Sequence, residues 1–321
     1  MKKITLRSVT ALAVCLLLLL QTSAAVPDRL VPGGNTVGLS LELDGVSVVE
    51  FSDDMAQKAG LRCGDLIVGV ENMAITTVAE LQEAVGNANG RPLKLTVRRD
   101  GEERHIKLAP TMTDQGPRLG VLVRDRLMGI GTLTYYNADD GSFGALGHGV
   151  NNADSGDLLP VKEGVLLPSA VASVEKGKAG APGALRGSLC GRESCGEISK
   201  NTPQGIFGTM PPKENAALPV GSSDTVKKGT AEILSNVQGT DVRSYAVQIL
   251  ELYPSDGHDR NLLLRVTDPD LLNLTGGIVQ GMSGSPIIQD GKLIGAVTHV
   301  LIDDPTQGYG IFIENMLDAA A

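Results

Sequence analysis

Between residue 118 and the last turn of the chain there is no long amphipathic helix pattern. The sequence runs instead as short apolar stretches broken by glycine and aspartate turns. The stretches Gly131–Tyr136, Ser142–Leu146, Val165–Glu175, Glu197–Ile206, Glu232–Val237, Val242–Tyr253 and Asn261–Asp268 read as strands. Asp139-Asp140-Gly141 and Ser255-Asp256-Gly257 read as turns, and only Glu314–Ala320 has helical spacing. A chain of this kind closes into barrels or sandwiches. Its 321 residues give room for about two domains. With 40 glycines, 16 prolines and no tryptophan, its core is built from Val, Leu and Ile.

Residues 34–110 follow a different pattern. Val37–Leu43 and Val46–Phe51 read as strands around Asp44-Gly45, and Ser52 is positioned to cap a short helix ending at Gly60. Asp65–Val70 is a further strand. A helix starts at Thr77 and runs to about Asn87, with Val78, Leu81 and Val85 on one face. Leu93–Arg98 and Arg104–Leu108 close the unit as a hairpin. The stretch from Met55 through Ala59-Gly60-Leu61 and Gly64-Asp65-Leu66 to Asn72 resembles the central signature of bacterial PDZ domains. The resemblance implies a peptide C-terminus bound as an added strand. Gly38, Leu39 and Leu41 would form the carboxylate-binding side and Val78, Leu81 and Val85 the helix side. Pro110–Pro117 reads as a polar linker to a second domain, 118–321.

The first 25 residues read as a targeting segment. Lys2, Lys3 and Arg7 precede the run Val9–Leu20, apolar except for Thr10, and Gln21–Ala25 offers small residues for cleavage. The run is short for a span of about 20 residues, so the segment is a signal peptide or a retained anchor. The net charge of −9, with no Lys/Arg run, argues against nucleic acid as a partner. In an exported chain Cys190 and Cys195, close together in a Gly-rich loop, are candidates for a small disulfide. No histidine stands near them, so a metal site is not expected. Cys63 reads as a small structural residue.

The hexapeptide Gly281-Met282-Ser283-Gly284-Ser285-Pro286 puts a serine in a glycine-flanked turn just before the apolar strand that opens at Ile287. Chymotrypsin-like peptidases present their nucleophile this way, with the amides of Gly281 and Ser283 converging as an oxyanion hole. A serine hydroxyl needs a base. His105 lies in the other domain, and His258 follows a turn. His299 lies on the strand Lys292–Ile302. His148, between glycines at the end of a hairpin strand and ahead of the serine, fits the order His then Ser best.

The blocks Gly129–Tyr135 with Phe143–His148, and Thr267-Asp268-Pro269 through Ser283 to Gly310, resemble the stage IV sporulation protein B peptidases over essentially the whole chain. That resemblance implies a mainly β protein: a PDZ domain followed by a chymotrypsin-like double β-barrel. It implies a cofactor-free serine endopeptidase of endospore formation, exported to the space between the forespore membranes. The family cleaves itself near the N-terminus and a membrane-bound regulator, which releases an intramembrane protease acting on a mother-cell sigma factor. Its catalytic residues fall on His148 and Ser283, and its proposed acid falls on Asp268. On topology alone Asp154, Asp157, Asp224 or Asp241 also qualify. Met282 stands where digestive peptidases carry an acid, so activation by an ion pair to a freed N-terminus is excluded. Two alternatives stay open: a PDZ adaptor with a degenerate peptidase domain, and an exported quality-control protease, which usually places its PDZ domain last.

Overall fold

The computed structural model describes residues 27–152, 156–191, 193–211, 216–254 and 259–321. The targeting segment, Asp154 and His258 lie outside them.

Twelve strands form two barrels and are numbered here in chain order. The first barrel holds β1 (Thr36–Phe51), β2 (Val121–Tyr136), β3 (Ser142–Ala145), β4 (Val161–Glu175), β5 (Gly196–Thr202) and β6 (Gly205–Thr209). The second holds β7 (Gly229–Ser235), β8 (Arg243–Leu252), β9 (Leu262–Val266), β10 (Pro286–Gln289), β11 (Lys292–Leu301) and β12 (Asp304–Phe312). The pairing runs β1-β2-β3-β6-β5-β4 and back to β1, and β7-β8-β9-β12-β11-β10 and back to β7. Both barrels therefore repeat one antiparallel order, which leaves no long open edge. The expected single strand Glu197–Ile206 is in fact the β5–β6 hairpin, turned at Pro203-Gln204.

Each barrel has its own apolar interior. Leu39, Leu41, Phe143 and Ile206 belong to the first, and Ile233, Leu264, Ile287 and Val297 to the second. A C-terminal helix, Ile313–Ala320, packs Ile313 and Met316 against Leu30, Tyr135 and Phe207.

The PDZ unit is set into the first barrel. β1 and β2 are 16 residues each. Residues 36–42 of β1 pair with 126–132 of β2, and residues 47–51 pair with 121–124 in the PDZ portion. Between them lie the helices α1 (Met55–Lys58) and α2 (Val78–Asn87) and the hairpin Leu93–Arg99/Glu102–Leu108. Thr77 caps α2 in a capping box with Glu80. At α1 the N-cap residue is Asp54, not Ser52. Arg99 holds the buried Asp65 through two bonds of 2.6 and 2.7 Å, tying the hairpin to the loop after α1. The expected linker contains a small hairpin, Thr111–Thr113 with Gly116–Arg118.

Candidate active site

The serine loop is fastened from both barrels. From the first, the Thr132 hydroxyl donates to the Gly281 carbonyl at 2.7 Å, and the Thr132 amide donates to the Ser283 carbonyl at 3.0 Å. From the second, Gly284 N–H reaches Val297 O at 2.7 Å and Val297 N–H reaches Ser285 O at 2.9 Å. Gln280 exchanges bonds with Gly183 and Leu185. Gly284 has φ +97°, and a Cβ there would run into the Thr132 carbonyl and the Leu146 backbone. Among the described residues the Gly281 and Ser283 amides donate to no backbone carbonyl, as an oxyanion hole requires. Met282 is fully buried in the second barrel's core, so an apolar side chain anchors the turn from below.

His148 follows β3, as the sequence implied. It lines, with Gly281, Ser283 and His299, a cleft of about 520 Å³ between the barrels. Its Nδ1 stands 2.8 Å from the Gly149 carbonyl oxygen. A carbonyl only accepts, so Nδ1 carries the proton and Nε2 keeps its lone pair. The β5–β6 hairpin holds this loop. Gly149 N–H donates to Pro203 O at 3.2 Å, and Asn201 brackets Val150 with two bonds of 2.9 Å. Ser283 Oγ donates to the Thr298 carbonyl at 2.8 Å. In this resting rotamer the hydroxyl must swing from Thr298 to reach an imidazole.

Asp268 does not face this cleft. Its Oδ1 accepts the amides of Asp270 and Leu271 at 3.0 Å each, and its Oδ2 the amide of Ala246 at 3.3 Å. It is the N-cap of α3 (Pro269–Thr275), with proline at the first helical position. Asp157 lines a separate cavity beside Cys63, Asp224 lies in the 3-10 turn Ser223–Thr225, and Asp241 lies between β7 and β8. None of these lines the cleft.

The carboxylate shows up elsewhere. His299 and His148 have ring centroids 4.9 Å apart, and His299 Nδ1 lies 3.4 Å from Asp259 Oδ2. Burial first, and then neighbouring His148, hold the His299 pKa below its ordinary value, against the pull of Asp259. Asp259 lies three residues before β9, where nothing in the local sequence marks it out.

The strand expected to form one side of a peptide groove has no open edge. Gly38, Leu39 and Leu41 sit in β1, paired on one edge with β4 and on the other with β2. A strand paired on both edges cannot accept a third. Leu81 and Val85 of α2, themselves buried in the PDZ core, line a cleft of about 330 Å³ together with Val121 and Val123 and the polar Gln82, Gln115 and Arg118. Val78 packs against the PDZ core. Cys190 and Cys195 are not joined by a disulfide; their amides bond to Pro168 and Leu166 of β4.

Two six-stranded barrels with a glycine-flanked serine and a histidine in the cleft between them define a serine endopeptidase of the chymotrypsin-like class, here with a PDZ unit. A model of the SpoIVB peptidase S55 family matches residues 115–317, and a PDZ-domain model matches residues 52–99. The chain belongs to the SpoIVB peptidase S55 family.

Among curated proteins it is similar to one of Agrobacterium fabrum (strain C58) named as a zinc metalloprotease, 31% identical over 77 residues, 24% of this chain and 20% of that protein. A Brucella suis biovar 1 protein of the same description is 35% identical over 77 residues, with the same coverage. The chain thus spans about a fifth of the length of these relatives. Among solved structures, the inactive form of the Rv3671c protease of M. tuberculosis aligns with TM-score 0.35 and 14% identity, over 60% of this chain and 82% of that one. The PDZ domain of an SdrC-like protein of Listeria monocytogenes aligns with TM-score 0.23 and 23% identity, over 25% and 87%.

Proposed function

We propose that this serine endopeptidase is a signalling protease of endospore formation. It is exported, cuts itself between the targeting segment and β1, and then cleaves the extracytoplasmic part of a membrane-bound regulator. That cut releases an intramembrane protease that processes a mother-cell sigma factor. The observation that carries this reading is the meeting of His148, Gly281 and Ser283 in one cleft of an S55 family chain.

Ser283 Oγ leaves the Thr298 carbonyl, gives its proton to His148 Nε2 and attacks the scissile carbonyl. His148 then protonates the leaving amine, and water repeats the sequence to free the acyl group. The Gly281 and Ser283 amides hold the oxyanion, an effect worth about 3–4 kcal/mol per donor. Outside the active site, a peptide C-terminus adds as a strand to the β2 edge at Val121–Val123, opposite α2. That edge has no strand partner among the described residues.

Expression of the chain with and without Ser283→Ala, followed by mass-spectrometric mapping of N-termini, tests the reading. Fragments starting between residues 25 and 36 and present only with Ser283 intact support self-cleavage. Identical fragments in both preparations overturn it.

A further inference from the structure

Among the described residues, no carboxylate lines the cleft that holds His148. Its Nδ1–H is satisfied by the Gly149 carbonyl, the abutting β5–β6 turn contributes Pro203 and Gln204, and Asp268 is committed to capping α3. On its ring face His148 meets a second imidazole, His299, 4.9 Å away and tilted by 37°. The Nδ1 of His299 is buried and has no well-aligned hydrogen-bond partner, yet it lies 3.4 Å from Asp259 Oδ2. Asp259 is itself fixed by position: its carbonyl accepts the Thr298 hydroxyl at 2.7 Å, on the same strand that carries His299.

We infer that Asp259 and His299 act together as the positioning pair of this peptidase, supporting the charge on His148 through an intervening neutral imidazole. This rests on His148 being the base for Ser283. When His148 takes the serine proton, the centre of its imidazolium lies 4.9 Å from that of a neutral ring, within the distance at which a cation interacts with an aromatic ring. The Asp259 carboxylate favours the Nδ1–H tautomer of His299 and adds a negative charge behind it. The depressed pKa of His299 fits this role, because a protonated His299 would repel the imidazolium. The charged groups around the pair are His148 from the loop after β3, Asp259 and Arg260 from the loop before β9, and Arg124 from β2 at the far end of the cleft. Arg260 is drawn partly away, 5.3 Å over the Tyr309 ring.

The rate of labelling by a fluorophosphonate probe, measured against pH on the purified chain, reads serine activation without needing a substrate. Asp259→Asn is expected to slow labelling at pH 7 by about tenfold or more. It is also expected to move the acid limb of the profile to lower pH by about half a unit. His299→Phe should slow labelling by a similar factor. Asp268→Asn should leave the limb where it is. Thermal melts of each variant identify loss of fold, and His299→Phe carries the test if Asp259→Asn does not fold. Labelling of Asp259→Asn within about twofold of the unmodified chain, with an unmoved limb, overturns the pair. So does a shifted limb in Asp268→Asn. His148→Ala labelled at the unmodified rate overturns the base assignment instead, which separates the two failures.

Discussion

The carbonyl oxygen of Gly149 stands 2.8 Å from Nδ1 of His148, the residue next to it in the chain. A neighbour's carbonyl thus does what a carboxylate does in the familiar triad: it fixes the tautomer that leaves Nε2 free to accept a proton. His148→Ala is expected to lower the fluorophosphonate labelling rate by about 10²–10⁴-fold while leaving the melting temperature nearly unchanged. Intact-mass spectrometry over a time course checks both the rate and the stoichiometry.

Asp268 predicts a different signature. Because it caps α3 and bonds the Ala246 amide, Asp268→Ala should cost about 1–2 kcal/mol of stability. Labelling per folded molecule should fall far less than in His148→Ala. A urea midpoint measured beside the labelling rate separates the two effects, and a large loss of labelling without loss of stability would count against the capping role.

Gly284 has a backbone that other residues avoid, and a Cβ added to it would collide with the Thr132 carbonyl. Gly284→Ala should therefore displace the serine loop from β2 and reduce labelling by at least about tenfold, with a cost of about 1–3 kcal/mol. Gly291, also at positive φ but in open space, is the matched control. Gly291→Ala should leave labelling unchanged.

The PDZ groove gives a prediction that sets two leucine-rich surfaces against each other. Val123→Asp, on the β2 side of the cleft and only half-buried, should weaken binding of an apolar C-terminal peptide by at least about tenfold. Leu41→Ala, in the first barrel core, should cost about 2–5 kcal/mol of stability and leave peptide affinity per folded molecule intact. Fluorescence polarisation with a labelled peptide reads the first and a urea melt the second.

His299 ties stability to pH. Its folded-state pKa is held below the ordinary 6.5 by burial and by His148. The unfolded chain therefore binds the proton more readily, and the contribution of this group is present above about pH 6.5 and lost as pH falls below it. The melting temperature should drop between pH 7.5 and 5.5, and by less in His299→Phe.

The sequence by itself determined everything that depends on neighbours along the chain. Most of the strands, the helix start at Thr77, the glycine-flanked turn at Ser283 and the histidine at the end of a hairpin follow from local backbone preference and period-two patterning, and they were legible for that reason. Tertiary structure alone decided who pairs with whom. The sequence reads Val37–Leu43 and Val46–Phe51 as two strands around an Asp-Gly turn, whereas the structure joins them in one strand whose first half belongs to a barrel and whose second half to a PDZ unit. The partners that make this distinction lie at 121–132 and 161–168, 70 or more residues away. For the same reason Gly38–Leu41 is paired on both edges, while the edge at Val121–Val123 has no strand partner among the described residues. The role of a carboxylate is likewise set by what it meets. Asp268, inside the resembling block, meets amide groups, whereas Asp259, unmarked in the sequence, meets His299 because β9 and β11 belong to one closed barrel.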